Sequence, residues 1–481
     1  MSGLFGVFSF ERERRYDARD LFRCARSLPH VTHEVHDGAG LSWAVQGAGD
    51  GGSAAEDAEG RVRALVVGCF DERERVFEEL SRAGFDVGSS DAELAVAAYR
   101  AWGSAFLSHL SGRFALAVYD GAAHALVLAR DGLGHWPVYY RAGRHDVAFG
   151  TRLQVLLEAG LAPRALDVDG AASYFRLGFV PSPRTAVQDV GALPPGAALV
   201  VRDGRLATLH HHACDFAVQD EATSLDEQLG RAEARLEARL REDEESAEVW
   251  LEPDLATVVL VALQGRVHGR TVDTVAPEDD ERATRMAHLL GTRHRAVEVR
   301  PDLDALVQVV GALDQPFADP AWWVRDAMGR TARQPIATAL GAGPVFAANP
   351  RYPDALTLDA VRRALPEWVA TMTPDRSRMV EAVIRTPGWP RTLHGLNEDF
   401  AATVRRLRGP DLDAEVDPLA ALQAADLRYG TSDAHLVGLG AWCAWSGVRV
   451  RTPYLDGRLL DIGCRLPSRG RLEGREVGAG L

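Results

Sequence analysis

The stretch AEVWLEPDLATVVLVALQGR, residues 247–266, decides the fold of the second half of this sequence. Apolar and β-branched residues lead into the turn-forming EPD, and an apolar run follows, so the pattern predicts a strand, a tight turn and a helix. The order then repeats, because TVDTVAP (271–277) predicts a second strand and DERATRMAHLLGTRH (280–294) a second helix. Strands that alternate with helices predict a parallel, doubly wound sheet, which is an α/β architecture.

The sequence before this domain has a different pattern. Over about the first 205 residues, short apolar runs such as RALVVGCF (63–70) and RFALAVYD (113–120) alternate with turn signals and helix-like stretches, which predicts an all-β or α/β sandwich. The run at 203–223 loses this periodicity, and Ser224 with Glu227 then predicts a capping box at the start of a helix. We therefore predict two domains, residues 1–206 and 224–481, joined by a linker at 207–223.

Composition excludes several classes of protein. The net charge of −14 argues against nonspecific binding to nucleic acid or to an anionic membrane. No apolar run approaches the ~20 residues that span a bilayer, and the start lacks the pattern of a secretory signal. The five cysteines are scattered without CxxC spacing, which indicates reduced thiols in a cytoplasmic protein. All 54 basic residues are arginine, so no mechanism of this chain can use a lysine.

Six stretches carry a family resemblance. They are GLFGVF (3–8), SSDAELAVAAYRAWG (89–103) followed by LSGRFALAVYD (110–120), ARDGLGHWPVYYR (129–141), YFRLGFVPSPRTAVQDVGALPPG (174–196), ALDQPFADPA (312–321) and VRVRTPYLDGRLLDI (448–462). In this order they resemble the glutamine-dependent asparagine synthetase family, whose relatives include β-lactam synthetases and lasso-peptide cyclases.

The resemblance implies a fold and two activities. It implies an N-terminal Ntn-type αββα sandwich, the class II glutamine amidotransferase domain that hydrolyses glutamine to ammonia. It also implies a C-terminal PP-loop synthetase domain, which activates a carboxylate as its adenylate. The expected fold class is thus a two-domain α/β and α+β protein, with a doubly wound parallel sheet in the second domain.

At the glutaminase site the sequence departs from the family. Ser2 stands where the family has a nucleophilic cysteine, and Val67 stands where an asparagine supplies the oxyanion hole. One lost donor of this kind costs roughly 2.7–4 kcal/mol of transition-state stabilisation. Gly68 remains, and Asp91 matches the acid that holds the substrate's amino group. We therefore interpret Ser2, Gly68 and Asp91 as a vestigial site.

The nucleotide site departs from the family as well. EPDLATV (252–258) matches the pyrophosphate loop SGGLDSS, whose glycines and helix N–H groups bind the polyanion. Glu252 and Asp254 bring negative charge to this loop, and Pro253 has no N–H to donate. Ala256 removes the loop's acid, and Thr257 and Val258 complete the loop. This loop is expected to repel pyrophosphate.

The expected magnesium acids are missing too. GAGPVFAANPRY (341–352) matches a family stretch that carries them, and here Gly341 and Gly343 keep the register without a carboxylate. Asp314 and Gln315 are expected to remain as residual cleft residues. We therefore expect no metal and no cofactor, with ATP and Mg²⁺ relevant only if the site has been rebuilt.

A histidine-rich tract and two pairs of tryptophans each have more than one interpretation. LHHHAC (209–214) has the composition of a metal tract, but consecutive residues of an extended segment point alternately, which favours a solvated linker. Aromatic pairs at Trp322 with Trp323 and at Trp442 with Trp445 flank the expected cleft. Core packing is favoured slightly over a filled nucleotide pocket or a peptide-binding surface.

Three functions remain open from the sequence. The leading hypothesis is a pseudoenzyme that acts as a scaffold or protein partner, with an active synthetase paralogue, a peptide substrate carrier or a second copy of the chain bound to it. The alternative is an ATP-dependent amide ligase of the asparagine, β-lactam or lasso-cyclase type. The third is an N-terminal-serine hydrolase, in which the amine of Ser2 activates its own hydroxyl.

Overall fold

The computed structural model describes most of the chain. The described residues are 3–12, 32–38, 41–47, 52–212, 214–216, 218–220, 222–242, 247–300, 302–319, 321–357, 376–386, 398–406, 417–467, 472–473 and 476–477. Ser2 lies outside them, so its expected role as a vestigial nucleophile stays a prediction.

Two antiparallel sheets form the centre of the first domain. The first has the strand order β10-β8-β9-β1-β3-β2 and the second β12-β11-β7-β6-β5-β4. The strands are β1 (Gly3–Ser9), β2 (Thr32–Gly38), β3 (Leu41–Gly47), β4 (Gly52–Glu56), β5 (Val62–Asp71), β6 (Ser111–Asp120), β7 (Ala125–Arg130), β8 (Tyr139–Ala142), β9 (Asp146–Gly150), β10 (Gly191–Ala192), β11 (Ala197–Arg202) and β12 (Arg205–His210).

Helices cover the outer face of each sheet. The helices of this domain are α1 (Arg73–Arg82), α2 (Asp91–Trp102), the 3₁₀ helix Gly103–His109, α3 (Leu153–Glu158) and α4 (Val168–Leu177). The predicted helix at 91–102 begins with a complete capping box, because the side chains of Ser90 and Glu93 each accept from the other's backbone N–H.

The order of layers follows from the buried clusters. Leu4 and Phe8 of β1 pack with Leu65 of β5 and Leu128 of β7 in the core between the two sheets. Separate clusters join α2 to the second sheet and α3 to the first. The domain is therefore a helix–sheet–sheet–helix sandwich. Its last strand, β12, continues to His210, beyond the domain boundary expected at residue 206.

The second domain contains the parallel sheet that its sequence predicts. Five strands follow the order β15-β14-β13-β16-β17, and every neighbouring pair is parallel. They are β13 (Glu248–Trp250), β14 (Asp273–Pro277), β15 (Arg293–Val297), β16 (Ile336–Ala337) and β17 (Val450–Arg451). The chain runs outward from β13 to β15 on one side and resumes at β16 on the other. This reversal makes β13 and β16 the topological switch point.

Helices surround this sheet. They are α5 (Leu225–Glu242), α6 (Leu255–His268), α7 (Glu281–Leu290), α8 (Leu303–Ala312), α9 (Ala321–Arg330), α10 (Ala342–Phe346), α11 (Arg376–Ile384), α12 (Glu398–Arg406), α13 (Pro418–Ala425), α14 (Val437–Ser446) and α15 (Gly457–Arg465). A π-helical segment, Asp426–Leu436, joins α13 to α14, and a short hairpin pairs β18 (Leu472–Glu473) with β19 (Glu476–Val477). The predicted cap of α5 is present, because Glu227 donates its N–H to the Ser224 hydroxyl at 3.2 Å.

Buried polar contacts fix the two domains against each other. The Arg130 guanidinium of β7 pairs with Asp433 of the π-helical segment at 3.1 Å. The other carboxylate oxygen of Asp433 accepts from the N–H and the hydroxyl of Ser182, at 2.8 and 2.7 Å. All three residues are buried. A buried ion pair with further hydrogen bonds satisfies both charges, so it holds the domains in one defined arrangement.

Candidate functional site

A cleft of about 760 Å³ opens at the switch point of the parallel sheet. Its walls include the segment that follows β13 and the segment that follows β16, at the carboxyl ends of both strands. This is the place where open α/β sheets bind their ligands. Among the residues with expected roles, Glu252, Pro253, Asp254, Ala256, Gly341 and Gly343 line this cleft.

The loop after β13 carries its own anion. Asp254 is the N-cap of α6, and its carboxylate accepts the N–H of Thr257 at 2.7 Å. An unpaired N–H at this end of a helix is a donor for a bound anion, and the helix dipole favours negative charge there. Here the side chain of Asp254 takes that position. Pro253, just before it, offers no N–H.

Glu252 adds a second negative charge at the cleft wall. About half of its side chain, 51%, is exposed toward the cleft, and its carboxylate lies 3.9 Å from the Arg325 guanidinium. The loss of water between the cleft walls raises the pKa of Glu252, and so does repulsion from Asp254 and Asp319, although Arg325 acts in the opposite direction. The loop therefore holds more negative charge than its neighbours balance.

Arg325 is already occupied by groups of this chain. Its guanidinium carbon lies 5.3 Å from the centroid of the Trp322 ring and 6.0 Å from that of Trp250, within cation–π range. It also pairs with Asp319 at 3.3 Å. A phosphate in the cleft would have to compete with these contacts.

A carboxylate on the opposite wall is held by neutral donors. Asp426 accepts from the side-chain amide of Asn349 at 2.9 Å and from the hydroxyl of Tyr352 at 2.8 Å. Burial raises its pKa despite these hydrogen bonds. Arg351, the nearby cation, donates to the backbone carbonyls of Ala382 and Val383 instead.

His435 lines the same cleft as a neutral base. Burial first, and then the positive charge of Arg325, lowers its pKa to about 4. The imidazole is therefore uncharged at neutral pH. It supplies no positive charge to a ligand.

The residues of the cleft do not fit ATP and Mg²⁺. The pyrophosphate position at the start of α6 is taken by Asp254, and the stretch 341–352 supplies no carboxylate. The Oδ2 atom of Asp426 already accepts two hydrogen bonds, from Asn349 and Tyr352. Within the described part of the chain, no group of three or more His, Cys, Asp and Glu side chains is arranged to hold a metal ion.

Two expected cleft residues lie elsewhere. Asp314 is fully buried and pairs with Arg152 of the first domain at 2.8 Å. The side-chain oxygen of Gln315 accepts the N–H of Ala186, also of the first domain, at 2.9 Å. Because both side chains face the other domain, they belong to the interface. This corrects the expectation that they remain part of the nucleotide cleft.

The remaining loop positions pack inward. Thr257 is buried behind the loop and Val258 is half-buried, so neither lines the cleft. On the far wall Gly341 keeps a positive φ of 100°, and a Cβ there would lie 2.5 Å from the Leu455 side chain. The glycine is thus required by packing, whatever the cleft binds.

The expected glutamine site contains an arginine that sequence reasoning missed. Arg73 pairs with Asp91 at 3.2 Å, and Asp91 also accepts the Phe70 N–H at 3.4 Å. Val67 is fully buried in the core between the sheets. Gly68 has a φ of 95°, and a Cβ there would lie 1.9 Å from the Arg113 carbonyl oxygen, so only glycine fits.

The two tryptophan pairs split between core and surface. Trp322 and Trp442 are almost fully buried, with ring centroids 6.3 Å apart, and Trp322 also forms a wall of the cleft. Trp323 and Trp445 are half-buried. The packing of the first two agrees with the core interpretation that the sequence favoured.

Four side chains of the candidate sites escaped sequence reasoning. They are Arg73, Arg325, Asp426 and His435. Arg325 lies close to the quoted ALDQPFADPA segment. Its position just after two tryptophans is the sequence signal that could have identified it. Asp426 and His435 lie in a π-helical segment, a feature frequent at functional sites that no pattern in the sequence announces.

Comparisons with known proteins agree with this architecture. A model of the glutamine amidotransferase domain matches residues 59–212, and a model of asparagine synthase matches residues 255–477. A putative glutamine-hydrolyzing asparagine synthetase of Mycobacterium tuberculosis H37Rv is 25% identical over 426 residues, which cover 79% of this chain and 65% of the relative. Asparagine synthetase 1 of Bacillus subtilis is 25% identical over 433 residues, with coverages of 81% and 67%.

The similarity is distant and incomplete. The chain spans just under two thirds, 65%, of the mycobacterial relatives. A solved glutamine phosphoribosylpyrophosphate amidotransferase of Bacillus subtilis aligns at 13% identity with a TM-score of 0.30, covering 71% of this chain and 76% of that one. Among the described residues, no helix is both long and apolar enough to cross a membrane.

Proposed function

This chain belongs to the asparagine synthetase family, and we propose that it acts there as a pseudoenzyme. In this proposal it keeps the two-domain fold but performs neither glutamine hydrolysis nor ATP-dependent activation. It serves instead as a scaffold or partner of an active amide-forming synthetase in a biosynthetic pathway.

One contact carries the proposal. The Asp254 carboxylate accepts the Thr257 N–H at 2.7 Å, where a family member would bind pyrophosphate. A phosphate would have to displace this carboxylate and then remain beside Glu252. At 4 Å two like charges repel by roughly 4 kcal/mol at an effective dielectric of about 20, so the cost is large compared with ordinary binding energies.

The first domain supports the same proposal. Asp91, the residue expected to hold the amino group of glutamine, is paired with Arg73 of the chain itself. A free glutamine would have to break that pair to reach the carboxylate. Val67 offers no donor to an oxyanion, because its side chain is apolar and buried.

The choice of a protein partner in this proposal rests on the family and on the two joined domains. The buried pair of Arg130 with Asp433 holds the two domains together. Since the chain belongs to a synthetase family, an active paralogue of that family is the leading partner in this proposal. A peptide substrate carrier or a second copy of this chain is the next candidate.

The decisive experiment is calorimetric titration with ATP and Mg²⁺ up to millimolar concentration. We expect no heat of binding, whereas Asparagine synthetase 1 of Bacillus subtilis serves as the positive control. We also expect no ammonia release from glutamine. Saturable ATP binding would overturn the proposal. If there is neither binding heat nor ammonia release, the next step is to co-express the chain with a synthetase and measure whether amide formation depends on it.

The open cleft favours one alternative. A volume of about 760 Å³ at the switch point is large enough for a small-molecule ligand, so an ATP-dependent amide ligase with a rebuilt site is the second candidate. ATP–pyrophosphate exchange separates the two. Exchange that requires Asp426 or Arg325 would put the ligase first.

A further inference from the structure

A pair of side chains in the linker lies against both domains. The His212 ring packs so closely on the loop after β7 that a Cβ at Gly132 would lie 2.1 Å from its Cδ2 atom. Cys214, two residues later, is partly exposed, and its Sγ atom lies 3.8 Å from His212 Nε2. The segment expected to be a solvated linker thus contains a cysteine–histidine contact.

A second thiol completes the group. Cys464, near the end of α15, is buried, and its thiol is hydrogen-bonded to the Cys214 sulfur. Both cysteines are in the free thiol form. Two thiols from distant parts of the sequence therefore meet beside one imidazole, with the outer thiol reachable from solvent and the inner one shielded.

The surroundings favour a charged pair. The hydrogen bond with Cys464, and then the one with His212, lowers the pKa of Cys214 to about 6, although burial and Asp461 of α15 act to raise it. The contact with Cys214 in turn raises the pKa of His212, with further contributions from Asp461 and from Asp131 of the loop after β7. At neutral pH these contacts favour the thiolate of Cys214, which lies beside a histidine whose pKa is raised, and this is the environment of reactive cysteines.

We propose that Cys214 is a site of oxidative modification by hydroperoxides and that Cys464 resolves the oxidised product to a disulfide. The site is independent of the proposed scaffold function. The bond would tie the linker covalently to α15 of the second domain.

The chemistry balances with hydrogen peroxide as the oxidant. The Cys214 thiolate attacks one peroxide oxygen, the O–O bond breaks, and the departing hydroxide takes a proton from His212 to leave as water. The product is a sulfenic acid on Cys214. Cys464 then attacks this sulfur, the S–O bond breaks, and the departing hydroxide takes the proton of the Cys464 thiol to leave as the second water. Two thiols and one peroxide give one disulfide and two waters.

The first test maps the product on the full chain. The protein is treated with stoichiometric hydrogen peroxide, blocked with an alkylating reagent, digested and analysed by tandem mass spectrometry. We expect a peptide that links Cys214 to Cys464, and we expect Cys214→Ser and Cys464→Ser each to abolish it. Cys69, a half-buried thiol beside the Arg113 guanidinium, is the internal control and should stay unmodified. Sulfenic acid or disulfide at Cys69 before Cys214 would overturn the proposal.

The second test is a pH profile that a purely structural cysteine would not produce. The rate of Cys214 alkylation by iodoacetamide is measured between pH 5 and 9. We expect a midpoint near 6 and, at pH 6, a rate roughly tenfold above that of an ordinary thiol with a pKa of about 8.5. His212→Gln should move the midpoint upward, because the hydrogen bond and the charge of His212 both lower the pKa of Cys214. A wild-type midpoint above 8 would contradict the proposal without recourse to any variant.

Discussion

Two carboxylates of one helical segment meet opposite environments. Asp433 faces the first domain, where Arg130 and two donors of Ser182 bind it. Asp426, in the same π-helical segment, faces the cleft and receives hydrogen bonds from the uncharged groups of Asn349 and Tyr352. The buried carboxylate at the interface is thus paired with a cation, whereas the buried carboxylate of the cleft is bound by neutral donors.

The difference separates what the fold needs from what a reaction needs. Charges at a buried interface must be matched, because an unmatched one destabilises the protein. Charges in an open cleft are partly solvated, so a change there should cost less stability than a change at the interface. In this physical sense, with stability as the measure, we call the interface the conservative region of the molecule and the cleft the permissive one.

The largest effect is expected at the interface. Arg130→Met leaves Asp433 buried without its cation, and we expect a loss of about 3–5 kcal/mol of unfolding free energy, measured by urea titration with circular dichroism. Arg82→Met is the matched control, because its pair with Glu78 is exposed at 71% and 67%. If the two variants were equally stable, the interface would not be the conservative region.

A smaller effect is expected at the loop that caps α6. Asp254→Ala removes the bond to Thr257, and we expect a loss of about 1 kcal/mol, the usual cost of an N-cap. Asp302→Ala, which uncaps α8, is the control of similar size. ATP should still give no heat with Asp254→Ala, because Glu252 remains. Binding by this variant would show that one side chain alone closes the site.

An exposed interdomain pair should matter least for stability at neutral pH. Arg458 pairs with Glu72, with side-chain exposures of 57% and 23%. We expect Arg458→Met to cost less than about 1 kcal/mol in dilute buffer. The cost should disappear at about 1 M salt, where the Debye length is about 3 Å. A cost that persists in salt would place this pair with Arg130 and Asp433 instead.

The smallest effect is expected at Asp426 in the cleft, as a change in how the free energy of unfolding depends on pH. Burial raises the pKa of Asp426 above its ordinary value of 3.8, so the folded protein binds its proton more tightly than the unfolded chain does. Stability from this group is present at low pH and is lost as the pH rises through the folded pKa. Asp426→Asn should therefore gain stability over wild type between pH 4 and pH 7, as measured by urea titrations across that range.

Asp456 should give the opposite dependence of stability on pH in the same experiment. Burial acts to raise its pKa, but the hydrogen bond from Arg235 and the Leu459 N–H lower it below 3.8. Its contribution is present above the unfolded pKa and is lost as the pH falls through the folded pKa. Asp456→Asn should thus lose stability at pH 7 and approach wild type in acid. If the difference in unfolding free energy from wild type changed with pH in the same direction for both variants, the pKa directions given for Asp426 and Asp456 could not both hold.

Regular elements were predictable because their patterns are local. The strand, turn and helix at 247–266 appear as β13 and α6, and the Ser224 hydroxyl accepts the Glu227 N–H at the start of α5, which is one of the two hydrogen bonds of the predicted capping box. The family was also predictable, because its motifs keep their order along the chain. These features depend on neighbours in sequence, where periodicity and capping act.

The side chains that define the sites were less predictable. Asp314 and Gln315 were assigned to the cleft, yet they face Arg152 and Ala186 across the interface. The pairing of Arg73 with Asp91 was also missed. Each depends on how separate elements meet in space. A motif gives the position of a residue in the chain but not the direction in which its side chain points.

The capped loop has a consequence for the protein in a changing cell. A ligand that binds only the folded state raises stability in proportion to the logarithm of its concentration. A helix that supplies its own anion through Asp254 needs no such help to complete its first turn. If the site is closed to ATP as proposed, the melting temperature is the same in starved and growing cells. ATP then has no direct effect on the balance between folded and unfolded chain.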